Sequence, residues 1–270
     1  MAREGQGRLA LVTGASAGIG QAFAEHLAAR GYDLVLTARR EDRLSRLADD
    51  LSRRHGVTAH VRVADLADRG APAALARGLQ ASGLHVDLLV NNAGYGVPGR
   101  FGHPDWVVHE AFLQVMVTAV CELTYHVAPG MHARRWGRII NVASLAGHLP
   151  APAGHTLYAA SKAFLIRFSE ALHAEGAPAG VYATAVCPGF TYSEFHDVTG
   201  TRDKVSRMPK LLWMDAATVA ADGYAAVMRG EPVHITGRVN RTLARLARWL
   251  PPGVVRRVVA ASGSRFRDTD

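Results

Sequence analysis

Short apolar runs alternate with longer stretches of helical spacing along most of this chain, and that alternation constrains the fold more than any other feature. The runs are Leu9–Thr13, Asp33–Thr37, His60–Val63, Asp87–Val90, Arg138–Val142 and Val181–Val186, each rich in Val, Leu or Ile. Between them lie stretches such as Gln21–Arg30, Glu41–Arg54 and Tyr158–Glu175, and Gly31 and Gly56 are placed to stop helices. Strands that are apolar throughout, separated by helices, predict a parallel sheet covered on both faces. The expected fold class is therefore α/β, a Rossmann-type doubly wound parallel sheet in one domain, with ligands at the carboxyl ends of the strands. A helix near Ala216–Arg229 and a last strand near Val233–Ile235 would complete it. The expected division is a nucleotide-binding catalytic domain at 1–237 and a basic helical extension at 238–270.

The first run ends in Thr13-Gly14-Ala15-Ser16-Ala17-Gly18-Ile19-Gly20 and a helix follows. Glycines there serve a tight turn, close approach of backbone to a diphosphate, and close helix–strand packing. The helix start adds free N–H groups and a positive dipole end, so Gly14, Ser16, Ala17, Gly18, Ile19 and Gly20 are candidate cofactor contacts. The same letters fit a G-x-S-x-G nucleophile elbow with Ser16 as attacking group. That reading is the weaker one, because no Asp and His follow in an assignable arrangement. The second run closes on Leu36-Thr37-Ala38-Arg39-Arg40. An NAD site usually carries an acid here for the ribose hydroxyl, whereas Arg accommodates a 2′-phosphate. Arg39 is the expected phosphate partner, so NADP is favoured over NAD. The alternative is that Arg39 and Arg40 only solvate the next helix.

Ser144 follows the fifth run, and Tyr158 and Lys162 lie four residues apart on one helix face. A tyrosine with a pKa of about 10 is a poor base at neutral pH. A neighbouring ammonium favours the phenolate and suits Tyr158 to proton transfer.

These motifs together resemble the short-chain dehydrogenase/reductase family, in its shorter single-domain branch. The matching letters are TGASAGIG at Thr13–Gly20, Asp65-Leu66, NNAG at Asn91–Gly94, Ser144, YAASK at Tyr158–Lys162 and PG at Pro188-Gly189. The resemblance implies hydride transfer between NADP and a small-molecule carbonyl/alcohol pair. It implies that Ser144 holds the substrate oxygen, Tyr158 acts as acid/base and Lys162 also binds the nicotinamide ribose. Asp65 and Leu66 would lie near adenine. Asn91, Asn92, Ala93 and Gly94 would flank the adenosine side, and Pro188, Gly189 and Ser193 would wrap the nicotinamide end. One departure stands out: Met116 occupies the place where the family commonly has an Asn in its proton relay, and a thioether cannot donate a hydrogen bond. The relay is then rerouted through Thr118 or water, or activity is weak. The alternative function is a catalytically inactive NADP-binding sensor or scaffold, although such a protein has no evident use for Ser144, Tyr158 and Lys162 together.

Composition narrows the rest. Apolar residues make up 49% and charged residues 20%, as in a globular domain. The net charge of +8 is concentrated: eight Arg and two Asp between Arg238 and Asp270 give +6. The body is nearly neutral, so nucleic-acid binding is not expected. In the tail, Leu243, Leu246, Ala247 and Leu250 share a helical face opposite Arg241, Arg245 and Arg248, and Val254, Val255, Val258 and Val259 follow Pro251-Pro252-Gly253. This basic amphipathic pair fits an anionic membrane surface, the body of the protein, or a second subunit. Cys121 and Cys187 sit in apolar stretches, as in a reducing compartment. No apolar leader core is visible in MAREGQGRLALVTG, and no run approaches the roughly 18 apolar residues of a membrane span. The expected setting is cytoplasmic, with peripheral membrane contact as the tail's option, and the expected assembly is a homodimer or homotetramer. The histidines show no metal-ligand spacing; His148 and His155 flank the loop before Tyr158. The resemblance implies that the apolar stretch with Phe190, Tyr192, Phe195, Met208, Leu211, Leu212 and Trp213 folds over the substrate, which suggests a hydrophobic one; packing against the core explains the same letters equally well.

Overall fold

The computed structural model describes residues 3–192, 194 and 210–263. Seven strands form one parallel sheet in the order β3-β2-β1-β4-β5-β6-β9. They are β1 (Leu9–Thr13), β2 (Asp33–Ala38), β3 (Ala59–Val63), β4 (Val86–Asn91), β5 (Gly137–Val142), β6 (Val181–Cys187) and β9 (Val233–Ile235). Two short strands, β7 (Phe190–Tyr192) and β8 (Trp213–Asp215), pair with each other outside that sheet. The central strands are buried along their length because both faces are covered. This is why they read as continuous apolar runs rather than alternating ones.

The chain runs outward from β1 to β3, then returns to place β4 beside β1. That reversal opens a crevice at the carboxyl ends of β1 and β4. Helices α1 (Gly18–Ala29), α2 (Glu41–His55) and α7 (Ala216–Met228) cover one face. Their core packs Phe23, Leu27, Leu44 and Tyr224 against Val12, Leu34 and Val186. Helix α2 stops at Gly56, whose φ of 67° suits glycine. Helices α3 (Ala71–Ala81), α4 (Trp106–Leu113), α5 (Ala119–Ala133) and α6 (Thr156–Gly176) cover the other face. A π-helical turn, Gln114–Thr118, joins α4 to α5 in one continuous rod. Helices α8 (Arg238–Trp249) and α9 (Pro252–Gly263) end the described chain.

The rod corrects one expectation. Trp106–Ala133 is 28 residues long, and the mean hydropathy of its most apolar stretch, 1.4, reaches that of a membrane span. Half of its most apolar stretch is buried inside the fold, and α5 packs on β4 and β5. It is apolar because it is a core helix, with Leu123 and Met131 inside the sheet's second core.

Candidate active site

The glycine loop and the turn after β4 are fastened together before any ligand is considered. Thr13 Oγ1 accepts from the backbone N–H of Asn92 at 2.9 Å and of Ala93 at 3.0 Å, and donates to the Val90 carbonyl. Asn92 Nδ2 returns to the Thr13 carbonyl at 2.9 Å. Gly14 has φ of 65°, and a Cβ there would lie 2.8 Å from Asn92 Nδ2 and 2.9 Å from Ala93 Cα. Only a bare backbone fits. Behind it, α1 starts at Gly18 without a side-chain cap on its N–H groups. An uncapped helix start behind a glycine turn suits a diphosphate.

A cleft of about 960 Å³ runs from this loop across the ends of the strands. Gly14, Ser16, Ala17, Gly18, Ile19, Arg39, Asp65, Leu66, Asn92, Ala93 and Gly94 line it at the nucleotide end, and Ser144, Tyr158, Lys162, Pro188 and Gly189 line it further along. Two expected contacts do not. Gly20 packs α1 on the loop, since a Cβ would stand 2.3 Å from the Gly14 carbonyl oxygen. Asn91 is buried in the sheet, donating to Asn141 Oδ1 at 2.9 Å and Thr124 Oγ1 at 3.2 Å. In this structure both residues sit behind the cleft wall and hold it in place. Ser193 lies outside the described residues, as do Phe195 and Met208.

Arg40 stands beside Arg39 at the start of α2. It lines the cleft, and its Nε and Nη2 donate to Ser16 Oγ at 3.2 and 3.0 Å. Its Nη1 donates to Glu194 at 2.8 Å, and Arg43 donates to the other oxygen of the same carboxylate at 2.6 Å. These two arginines hold the Glu194 carboxyl below its usual range. Arg39 is largely exposed, with Asp65 at 4.0 Å. An arginine at the start of α2 opposes the helix dipole. That unfavourable placement was the available signal.

Further along, Ser144 caps a 3-10 turn, Leu145–Gly147, its Oγ accepting from the Ala146 N–H at 3.2 Å. Gly147 lets this turn press on α6, for a Cβ would be 2.8 Å from the Lys162 carbonyl carbon and 2.9 Å from the Ala163 nitrogen. Leu145 N–H donates to the Pro188 carbonyl at 2.9 Å, which ties the serine turn to the end of β6. Lys162 is buried and donates from Nζ to the Val142 carbonyl at 2.8 Å. Its Nζ lies 5.7 Å from the centroid of the Tyr158 ring. Burial pushes the Lys162 ammonium down to about 8, and burial pushes the neighbouring Cys187 thiol up to about 12.

Met116 lines the cleft from within the π-helical turn, and a Cβ on Gly94 would touch its sulfur at 2.8 Å. Thr118 is exposed and does not line the cleft, so the expected reroute through its hydroxyl is corrected. His155 lines the cleft and His148 does not. The tail completes the far wall: Leu243, Leu246, Ala247, Leu250, Val255, Val258 and Val259 all face this cleft. In the single chain, the tail's apolar stripes lie along the cleft of the body.

Residues 8–203 match the family model described as short chain dehydrogenase. This chain belongs to the short-chain dehydrogenase family. It is thus an enzyme of an oxidoreductase family. Nodulation protein G of Rhizobium meliloti (strain 1021) is 37% identical over 243 residues, covering 86% of this chain and 96% of that protein. Very-long-chain 3-oxoacyl-CoA reductase of Anas platyrhynchos is 34% identical over 204 residues, covering 72% of this chain but only 63% of the reductase. The solved structure of a short-chain dehydrogenase from Sphingobium yanoikuyae in complex with NADPH matches with a TM-score of 0.80 at 32% identity, covering 97% of each chain.

Proposed function

We propose that this chain is an NADP-dependent oxidoreductase acting on a carbonyl/alcohol pair in an apolar small molecule, with Tyr158 as acid/base. One observation carries the reading: Ser144, Tyr158 and Lys162 stand in the wall of the same cleft as the glycine loop. The Gly14 turn and the uncapped start of α1 fit a dinucleotide diphosphate, and Ser16, Arg39 and Arg40 offer charged and hydroxyl donors for a 2′-phosphate. The NADPH carried by the Sphingobium relative supports that choice over NAD. When bound, the cofactor would supply a hydride in its reduced form, NADPH, or accept one in its oxidised form. The protein's part is then proton handling and orientation. Ser144 Oγ holds the substrate oxygen, and the Tyr158 phenol gives it a proton in reduction or takes one in oxidation. Lys162 stays in place through its bond to Val142 and favours the phenolate by its charge. With Thr118 outside, protons reach Tyr158 and Lys162 through water in the open cleft.

Two further parts of the reading concern setting. Cys121 and Cys187 are free thiols, which supports a reducing, cytoplasmic location. Exposed Tyr125 on α5 and Phe164 on α6 support a homodimer or homotetramer built on that helical face.

Tyr158→Phe tests the reaction. NADPH affinity should change little, while turnover of a responsive ketone falls by about two to four orders of magnitude, the range for lost acid–base catalysis. Unchanged turnover would remove Tyr158 from the role. Tight NADPH binding by the intact protein with no turnover across a broad panel of ketones and alcohols would favour the sensor reading instead.

A further inference from the structure

We infer that the helix pair α8–α9 is the chain's own substrate wall, and that it selects an uncharged carbonyl compound carrying a long apolar chain. The inference rests on the oxidoreductase reading above and assigns the substrate class to named residues. Leu243, Leu246 and Leu250 from α8 and its end, with Val255, Val258 and Val259 from α9, line the cleft that holds Ser144 and Tyr158. Although turned inward, Leu243 remains 43% exposed, Leu246 54% and Val258 60%. Part of this open apolar surface lines the cleft. A hydrophobic ligand would cover it, and each buried methylene is worth about 0.8 kcal/mol, or roughly fourfold in affinity.

Charge in the cleft is segregated. Arg39, Arg40, Asp65 and Glu194 line its nucleotide end, and Lys162 lies at the catalytic centre. Among the described residues the tail adds no charged side chain to the lining; Arg245, Arg248, Arg256 and Arg257 are exposed outside it. A carboxylate or a polyol placed against this wall would lose hydration without gaining partners. The wall is also fixed in place. Asn240 is buried at the start of α8 and donates from Nδ2 to the Thr236 carbonyl at 3.0 Å. It presses on Gly189 so closely that a Cβ there would lie 2.6 Å from Nδ2. Helix α8 is thereby set beside the Pro188-Gly189 turn that ends β6.

The test is a homologous series of methyl ketones, from methyl ethyl to methyl decyl ketone, reduced with NADPH. In the wild type, kcat/KM should rise with chain length. In the double variant Leu246→Ser with Val258→Ser, methyl decyl ketone should lose about tenfold or more while methyl ethyl ketone stays within about twofold. NADPH affinity and melting temperature serve as controls for folding. Leu246→Phe, which fills the same space, should move the optimum to shorter chains. An unchanged chain-length slope in the double variant, or equal loss on both ketones, would overturn the wall. Calorimetry of the same ketones on the NADP-loaded protein reads the wall without turnover. Length-dependent binding with no turnover would retain the wall and refute the reductase reading, whereas length-independent binding would refute the wall.

Discussion

Among single residues, His26 ties acid stability to one half-buried ring. It meets Tyr224 edge-on at 5.2 Å, and its buried Nε2 has no hydrogen-bond partner. Burial, then the Arg30 charge, pushes it down from 6.5 to about 4. In this window the unfolded chain binds the proton and the folded chain does not. Stability is therefore complete above 6.5 and is lost as pH falls toward 4. The ring is only about half-buried, so the loss should be about 1–2 kcal/mol after solvent screening. His26→Phe keeps the edge contact and should flatten the fall in melting temperature across this range; an unchanged slope would place acid sensitivity elsewhere. A second prediction concerns the phosphate partner. Arg40→Ala should weaken NADPH by about tenfold or more relative to NADH, since a charged hydrogen bond is worth about 1.5–3 kcal/mol. Arg39→Ala should do less, because Arg39 is exposed whereas Arg40 already grips Ser16. Titrating both cofactors into both variants decides it, and equal losses for NADH and NADPH would remove Arg40 from phosphate recognition. Tyr158 and Lys162 were legible in the sequence because helix period alone puts residues four apart on one face. The bonds that separate Arg40 from Arg39 were not, because they reach Ser16 and Glu194, and Glu194 is distant in sequence.

Elements were legible where apolar composition is continuous and obscure where geometry changes without a change in letters. Leu9–Thr13 and Val233–Ile235 were placed to the residue, since each is a compact run between polar or glycine neighbours. Helix α1 begins at Gly18 rather than Gln21, because glycines that pack the loop carry no hydrophobic period. The π-helical turn at Gln114–Thr118 was invisible: it widens one turn inside an unbroken apolar rod. Glycine position gives a paired prediction of opposite sign. Gly20→Ala would drive a Cβ to 2.3 Å from the Gly14 carbonyl and 2.4 Å from Asn92 Nδ2. It should cost about 1–3 kcal/mol by overpacking and weaken NADPH binding, since the loop itself must move. Gly78 lies exposed inside α3 with nothing within 4 Å of a Cβ. Gly78→Ala should instead stabilise by about 0.5–1 kcal/mol and leave NADPH binding unchanged. Thermal melts with NADPH titrations read both, and a stable Gly20→Ala that binds NADPH normally would refute the role given to Gly20.

For the whole molecule, the remaining question is what the basic tail adds to a body that is already complete. The sheet's three apolar core clusters contain no residue beyond Ile235 among the described residues. A chain ending at Gly237 should therefore melt cooperatively and bind NADPH, while losing the wall over the catalytic end. Charge and amphipathicity were legible in the tail's sequence, but its partner was not. A membrane, a second subunit and the body all present apolar surface, and the structure adds only that α8 lies beside Gly189. Assembly should follow a different face. Tyr125 is 75% exposed on α5 and Phe164 39% exposed on α6, and α5 and α6 lie on the same side of the sheet. Large apolar rings on an outer helical face favour burial between copies. Light scattering on three proteins separates these roles. The intact chain and the chain ending at Gly237 should share one oligomeric size, and the double variant Tyr125→Glu with Phe164→Glu should be smaller. The intact chain should also leave anionic vesicles unbound on sedimentation, because its apolar stripes face the cleft. If truncation alone dissociates the assembly, the tail is the subunit interface. If vesicles retain the intact chain and release the truncated one, the stripes turn outward in solution.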